Sequence, residues 1–106
     1  MADRWIKRFQ REALPKLVEA FKPEKVILFG SRAEGIARKD SDIDVIIVSS
    51  YFENIPFVKR MPLAMKKAPF AKHVDYICYT REEYDRMKNE SVIVRDALEN
   101  SVEIAL

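Results

Sequence analysis

Two short apolar runs, Val26-Ile27-Leu28-Phe29 and Val45-Ile46-Ile47-Val48, constrain this chain more than any other feature. Each reads as a buried strand. The first ends on Gly30-Ser31, and the second is entered through Asp42-Ile43-Asp44, so that eleven residues separate Gly30 from Asp42. A parallel crossover needs about a dozen residues or more, so the two strands are expected to be antiparallel. That topology brings the glycine-serine turn and the paired aspartates to one end of the sheet. A third apolar stretch, His73–Tyr79, follows a connection long enough for a helical crossover. It is expected to run parallel to the second strand, returning Asp75 to the same end. One rim thus collects Gly30, Ser31, Asp42, Asp44 and Asp75.

The remaining elements fit around this sheet. Ile6, Phe9, Ala13, Leu17 and Phe21 are spaced as one face of an amphipathic helix over 3–21, kinked or broken near Pro15 and stopped by Pro23. A short helix is expected over 32–37, and the second strand over 42–48. After a loop at 49–55, a helix runs from Pro56 to Lys67, where Pro62 is expected to disturb it. Thr80-Arg81-Glu82-Glu83 has the form of a capping box, with Glu83 reaching back to the Thr80 N-cap. The helix it starts is interrupted near Asn89 and followed by a helical piece over 91–99. Val102–Ala105 alternates as an edge strand would. The expected fold class is α+β (α/β in the broad sense), a small mixed sheet of three to four strands packed with helices, in one domain over 1–106.

Nineteen basic and seventeen acidic residues leave a net charge of +2, too little to argue for nucleic acid as a direct ligand. The single cysteine excludes an internal disulfide, the N-terminus lacks the apolar stretch of a secretory signal, and no run approaches ~20 apolar residues. A cytoplasmic protein without membrane attachment is therefore expected. So small a chain has little room for an acceptor-binding lobe. A partner protein, in a homo- or hetero-oligomer, is expected to supply what it lacks.

Side chains at i and i+2 of a strand share a face, so Asp42 and Asp44 project together. With Asp75 beside them, three negative charges converge, and two unit charges at 4 Å repel by about 4 kcal/mol at an effective dielectric near 20. Such a rim requires a cation, and hard oxygen ligands suit Mg²⁺ or Mn²⁺ completed by water and phosphate. Two ions about 4 Å apart can hold the attacking and leaving oxygens of an in-line displacement at phosphorus. In that scheme Asp42 and Asp44 bind metal, while Asp75 binds metal and accepts the proton of an attacking hydroxyl. Glycine at position 30 lets backbone approach a phosphate, and the Ser31 hydroxyl adds a donor. Ser41, Arg32 and Arg38 rank behind these, Ser41 as a further donor and the arginines to neutralise leaving pyrophosphate.

Gly30-Ser31-Arg32-Ala33-Glu34-Gly35 through Asp40-Ser41-Asp42-Ile43-Asp44-Val45 resembles the GSx10DxD signature of the DNA polymerase β-like nucleotidyltransferases. Among these the chain is most similar to the minimal nucleotidyltransferases, antitoxin partners of HEPN toxins. The resemblance covers nearly the whole chain, with a third carboxylate in Val74-Asp75-Tyr76. It implies transfer of AMP from ATP, with Mg²⁺, onto a hydroxyl, in the minimal branch a tyrosine of the cognate HEPN toxin. The other readings are a binding module that silences its partner by complex formation, and transfer to a small molecule or an RNA end. Val102–Leu106 lacks the aromatic finish common among relatives.

Elsewhere the bland explanations suffice. Cys78 reads as a core residue, and His73, the only histidine, as a partly exposed strand-end residue rather than a metal or phosphate ligand. Arg4, Lys7, Arg8 and Arg11 form one basic stripe, and Lys59, Arg60, Lys66, Lys67 and Lys72 a second cluster. Solvated faces account for both most simply, with an acidic partner surface as the livelier alternative. Trp5, Tyr51, Phe52 and Phe57 belong to core or interface, and Met61, Met65 and Met87 to packing.

Overall fold

The run Val45–Val48 becomes an inner strand covered on both faces, and the rest of the chain is arranged to cover it. The structure, a computed structural model, describes residues 3–106. Its four strands are β1 (Lys25–Phe29), β2 (Ile43–Val48), β3 (Val74–Tyr79) and β4 (Val102–Glu103), in the order β3-β2-β1-β4. β1 is antiparallel to β2 and to β4, and β2 is parallel to β3. The sheet is therefore mixed, and the antiparallel and parallel neighbours are those that the connection lengths dictate. Six helices pack against it: α1 (Arg4–Glu12), α2 (Leu14–Phe21), α3 (Gly30–Glu34), α4 (Phe57–Lys67), α5 (Arg81–Glu90) and α6 (Val92–Glu99). Among the described residues no helix is long and apolar enough to cross a membrane.

Strand alternation divides the core into two layers. Val26, Leu28, Ile43, Val45, Ile47, Val74, Tyr76 and Cys78 meet Ile6, Phe9, Leu17 and Phe21 of α1 and α2 and Ala64 of α4. On the other face Ile27, Ile46, Val48 and Tyr79 meet Tyr84, with Met87 and Leu98 packed against them. Asp44 and Asp75 fall in step with these second-layer residues, two positions before Ile46 and Ile77, so they lie on the face that α5 and α6 cover, at its rim.

The element ends follow local chemistry. The expected helix over 3–21 is two helices, broken at Ala13, because Pro15 sits in the first turn of α2, where its missing N–H costs nothing. Asp3 caps α1, accepting from the N–H groups of Trp5 and Ile6. The helix expected over 32–37 begins earlier, at Gly30, and stops at Gly35, whose φ of 76° supplies a left-handed cap. The loop at 49–55 contains a 3-10 turn over Ser50–Phe52, which carries Phe52 into the core. α4 continues through Pro62. The carbonyl which that proline leaves unpaired belongs to Val58, an exposed residue whose backbone water can reach. The Thr80–Glu83 capping box is fully formed, and the break after it falls at Ser91, which caps α6 in turn. β4 is shorter than Val102–Ala105 and pairs at the β1 edge.

Arg60 is not on a solvated face. Only 5% exposed, it donates to the carbonyls of Ile55 (2.8 Å) and Cys78 (3.0 Å) and to the Glu83 carboxylate (2.6 Å). One guanidinium thus fastens α4 to the end of β3 and the start of α5. Burial by itself would raise the Glu83 pKa, but the Arg60 hydrogen bond and the Thr80 amide outweigh it and hold the carboxyl below its usual value. A group with a depressed folded pKa stabilises the fold above its unfolded pKa, ~4.3 for glutamate, and that contribution is lost as pH falls through the folded value. Arg60→Ala is expected to cost about 3 kcal/mol in urea unfolding at pH 7, because Glu83 and two carbonyls lose their partner. Glu83→Gln is expected to flatten the fall in stability below about pH 4.3, measured as the urea midpoint against pH.

Candidate active site

Register decides whether the acidic residues meet. Asp44 stands directly opposite Asp75 in the parallel β2–β3 pair and opposite Phe29 in the antiparallel β1–β2 pair. Partners in adjacent strands have backbones roughly 4.8 Å apart, and the carboxylates leave on one face. Asp42 lies just before β2 rather than within it, and it is exposed. Gly30 follows Phe29 immediately, so the start of α3 abuts Asp44. The structure thereby gathers Gly30, Ser31, Asp42, Asp44 and Asp75 at one end of the sheet.

Gly30 lies directly against the Asp44 carboxylate. Its φ is 75°, and a Cβ built there would collide with Oδ2 of Asp44 and lie 3.1 Å from its Cγ. A side chain at position 30 would be strained by the backbone conformation and would have to displace the Asp44 carboxylate. No side chain caps the start of α3. The Asp44 carboxyl is pushed up, first by burial, then by the Asp75 and Asp42 carboxylates, with His73 opposing the shift. Its charged form is the disfavoured one, which is the condition a bound cation relieves.

The loop that delivers Asp42 is held by Arg32, which is 6% exposed. Its guanidinium donates to the carbonyls of Ser41 (2.8 Å), Lys39 (3.2 Å) and Arg38 (3.3 Å) and pairs with Asp3 (2.8 Å), whose other oxygen caps α1. Arg32 is therefore committed to structure and does not serve as a pyrophosphate ligand. Arg38 is exposed at the same loop, and Ser41 accepts the Arg38 N–H through its hydroxyl (2.9 Å), turning the loop toward Asp42. A concavity of about 440 Å³ lined by Arg4, Trp5, Arg32, Arg38 and Lys39 opens beside it.

His73 is an exposed strand-end residue, as its sequence position suggests, and it stands beside the aspartates. Its Nε2 lies 2.8 Å from Oδ1 of Asp75. One donor atom each from Asp42, His73 and Asp75 lies within 4.8 Å of the others. Its i, i+2 spacing from Asp75 was the available signal. Cys78, by contrast, is buried, its thiol pushed up to about 12 chiefly by burial, which makes it a packing residue.

Two outcomes follow from this geometry. Gly30→Ala is expected to abolish any metal-dependent rise in melting temperature, measured by calorimetry with and without Mg²⁺. Asp44→Asn is expected to raise the urea midpoint of the metal-free protein at pH 7, since it removes a carboxylate whose ionisation the fold disfavours, while also removing the stabilisation by Mg²⁺.

The comparisons with known proteins agree with the architecture. The crystal structure of a Sulfolobus solfataricus protein, whose assignment as a nucleotidyltransferase is itself an inference, matches with a TM-score of 0.66 and 27% identity, over 94% of this chain and 78% of that one. No curated protein matches the chain at a significant level. Residues 10–104 match the model of the family described as nucleotidyltransferase domain. By that match, which takes in both motif strands, Asp75 and the closing helices, the chain belongs to the nucleotidyltransferase domain family.

Proposed function

We propose that this protein transfers AMP from ATP to a hydroxyl, and that the hydroxyl is a tyrosine of a HEPN toxin that the modification silences. The observation that carries the reading is the Asp44–Asp75 pairing across β2 and β3, closed from the third side by Gly30. Three carboxylates at one rim, one of them reluctant to ionise alone, are a donor set of hard oxygens that fits Mg²⁺ or Mn²⁺. Asp42, Asp44 and Asp75 are the residues that would hold it. Divalent ions bound there would neutralise the triphosphate and stabilise charge on the attacking and leaving oxygens.

The chain's own residues perform the rest. Gly30 lets the Asp44 carboxylate lie against its backbone, and Ser31 and Ser41, next in sequence to Gly30 and Asp42, are the hydroxyls that would donate to the triphosphate. Asp75, half exposed at the strand entry, is the carboxylate that an acceptor hydroxyl can reach, and it takes the proton as the new oxygen–phosphorus bond forms. The bond between the α- and β-phosphates breaks in the same step, and pyrophosphate leaves. Toxin, ATP and a cytoplasmic setting belong to one proposal, supported by the resemblance to the minimal nucleotidyltransferases.

The test is incubation with α-labelled ATP and the product of the neighbouring gene, followed by mass spectrometry of that partner. One AMP unit or more on a tyrosine is expected, falling by at least about a thousandfold in rate when Asp42→Asn is combined with Asp44→Asn, given that removing charge stabilisation at one point already costs about 10²–10³. If the double variant still silences the partner and no AMP appears on it, the chain acts by complex formation instead. Label on an RNA end or a small molecule would move the acceptor while leaving the chemistry intact.

A further inference from the structure

His73 and Asp75 are two apart on one strand, so their side chains leave the same face. The hydrogen bond from the Ile43 N–H to the His73 carbonyl (3.3 Å) carries the β2–β3 ladder one step beyond the strands. It places Asp42 across from His73 as Asp44 is across from Asp75. The rim is therefore a two-by-two array of donors, three of them carboxylates and the fourth an imidazole.

The separation of His73 from Asp75 matches that of adjacent ligands in the shell of an ion. Neighbouring ligands of an octahedral ion with bonds of ~2.1 Å lie ~3 Å apart, and opposite ones ~4.2 Å apart. His73 Nε2 and Asp75 Oδ1 are 2.8 Å apart, and the donor atoms of Asp42, His73 and Asp75 all fall within 4.8 Å of one another. A hydrogen bond joins the two groups, and an ion bound by both would take its bonds from these same two atoms.

We propose that His73 is a direct nitrogen ligand of the divalent ion held by Asp42 and Asp75, and that it biases this site toward Mn²⁺ over Mg²⁺. The assignment rests on the nucleotidyltransferase reading for the existence of the ion. Its chemical basis is ligand softness: Mg²⁺ keeps to oxygen and water, whereas imidazole favours first-row transition-metal ions. A site of carboxylates alone has no such bias.

Because His73 is the only histidine in the sequence, the test is unusually direct. Tag-free protein labelled with ¹⁵N-histidine is loaded with Mn²⁺ and ATP and examined by pulsed electron paramagnetic resonance, in which the label separates imidazole nitrogen from the nitrogens of adenine. A ¹⁵N coupling of directly bound strength is expected in the wild type and none in His73→Asn. That variant is expected to lose about tenfold in Mn²⁺ affinity, with Mg²⁺ affinity changed by less than about threefold. Bound Mn²⁺ without ¹⁵N coupling would overturn the assignment and reduce His73 to a residue that orients Asp75. Failure to bind Mn²⁺ at all would overturn both it and the metal site. AMP transfer is measured on the same preparation: a ¹⁵N coupling with no transfer to any acceptor sinks the proposed function and leaves the ligand in place.

Discussion

Two carboxylates facing each other across a parallel strand pair are an arrangement that a sheet does not adopt for its own sake. Asp44 and Asp75 are held opposite one another because the residues beyond them leave no other register. Ile46 and Ile77 pair next on the same face, and Val45 with Tyr76 and Ile47 with Cys78 pair on the other. A slip of one residue would turn every one of those side chains to the wrong layer. The energy of burying both layers, at about 25 cal/mol per Å² of apolar surface, thus holds in place a pair whose mutual repulsion is of the order of 4 kcal/mol at close approach. The rim is strained electrostatically, and the strain is local because the apolar layers begin within two residues of it.

Two buried arginines extend that control to both ends of the sheet. Arg32 gathers the carbonyl groups of Arg38, Lys39 and Ser41 in the loop entering β2 and ties them to the N-cap of α1. Asp42 therefore emerges from a fixed point although it precedes the strand. Arg60 does the equivalent work at the far end, where β3 passes into α5. A concavity of about 730 Å³ near that end, lined by Glu24, Thr80, Arg81, Glu83 and Asp85, sits among these ion pairs, well away from the aspartates. Arg81 pairs with Glu24 and with Asp85 along its wall.

What the sequence made legible was whatever depends on near neighbours. Strand positions followed from apolar runs, strand directions from connection lengths, and the α5 start from a four-residue capping box. The acidic rim followed from those directions alone. Arg60, read as solvated, and Arg32, read as a candidate pyrophosphate ligand, both turn inward to partners distant in sequence. Arg32 finds Asp3 at a separation of 29 residues, and Arg60 finds Glu83 at 23. A charged residue in a chain that is 34% charged looks solvated until its distant partner is known. His73 was spaced correctly for the face of Asp75, but its neighbourhood with Asp42 exists only once β2 and β3 are in register. Helix boundaries shifted by one or two residues at most ends, as frayed ends do, and α4 kept its proline because the unpaired carbonyl lies in water.

The central claim is that Asp42, Asp44 and Asp75 form one cation-binding rim serving a nucleoside triphosphate. Its most direct test is a crystal structure of the protein grown with Mn²⁺ and a non-hydrolysable ATP analogue, with anomalous scattering used to locate the ions. The account predicts an anomalous peak within bonding distance of oxygens from all three aspartates and of the triphosphate, with the phosphates against Gly30 and Ser31. A nucleotide seated elsewhere, or aspartates carrying no peak at saturating Mn²⁺, would contradict it.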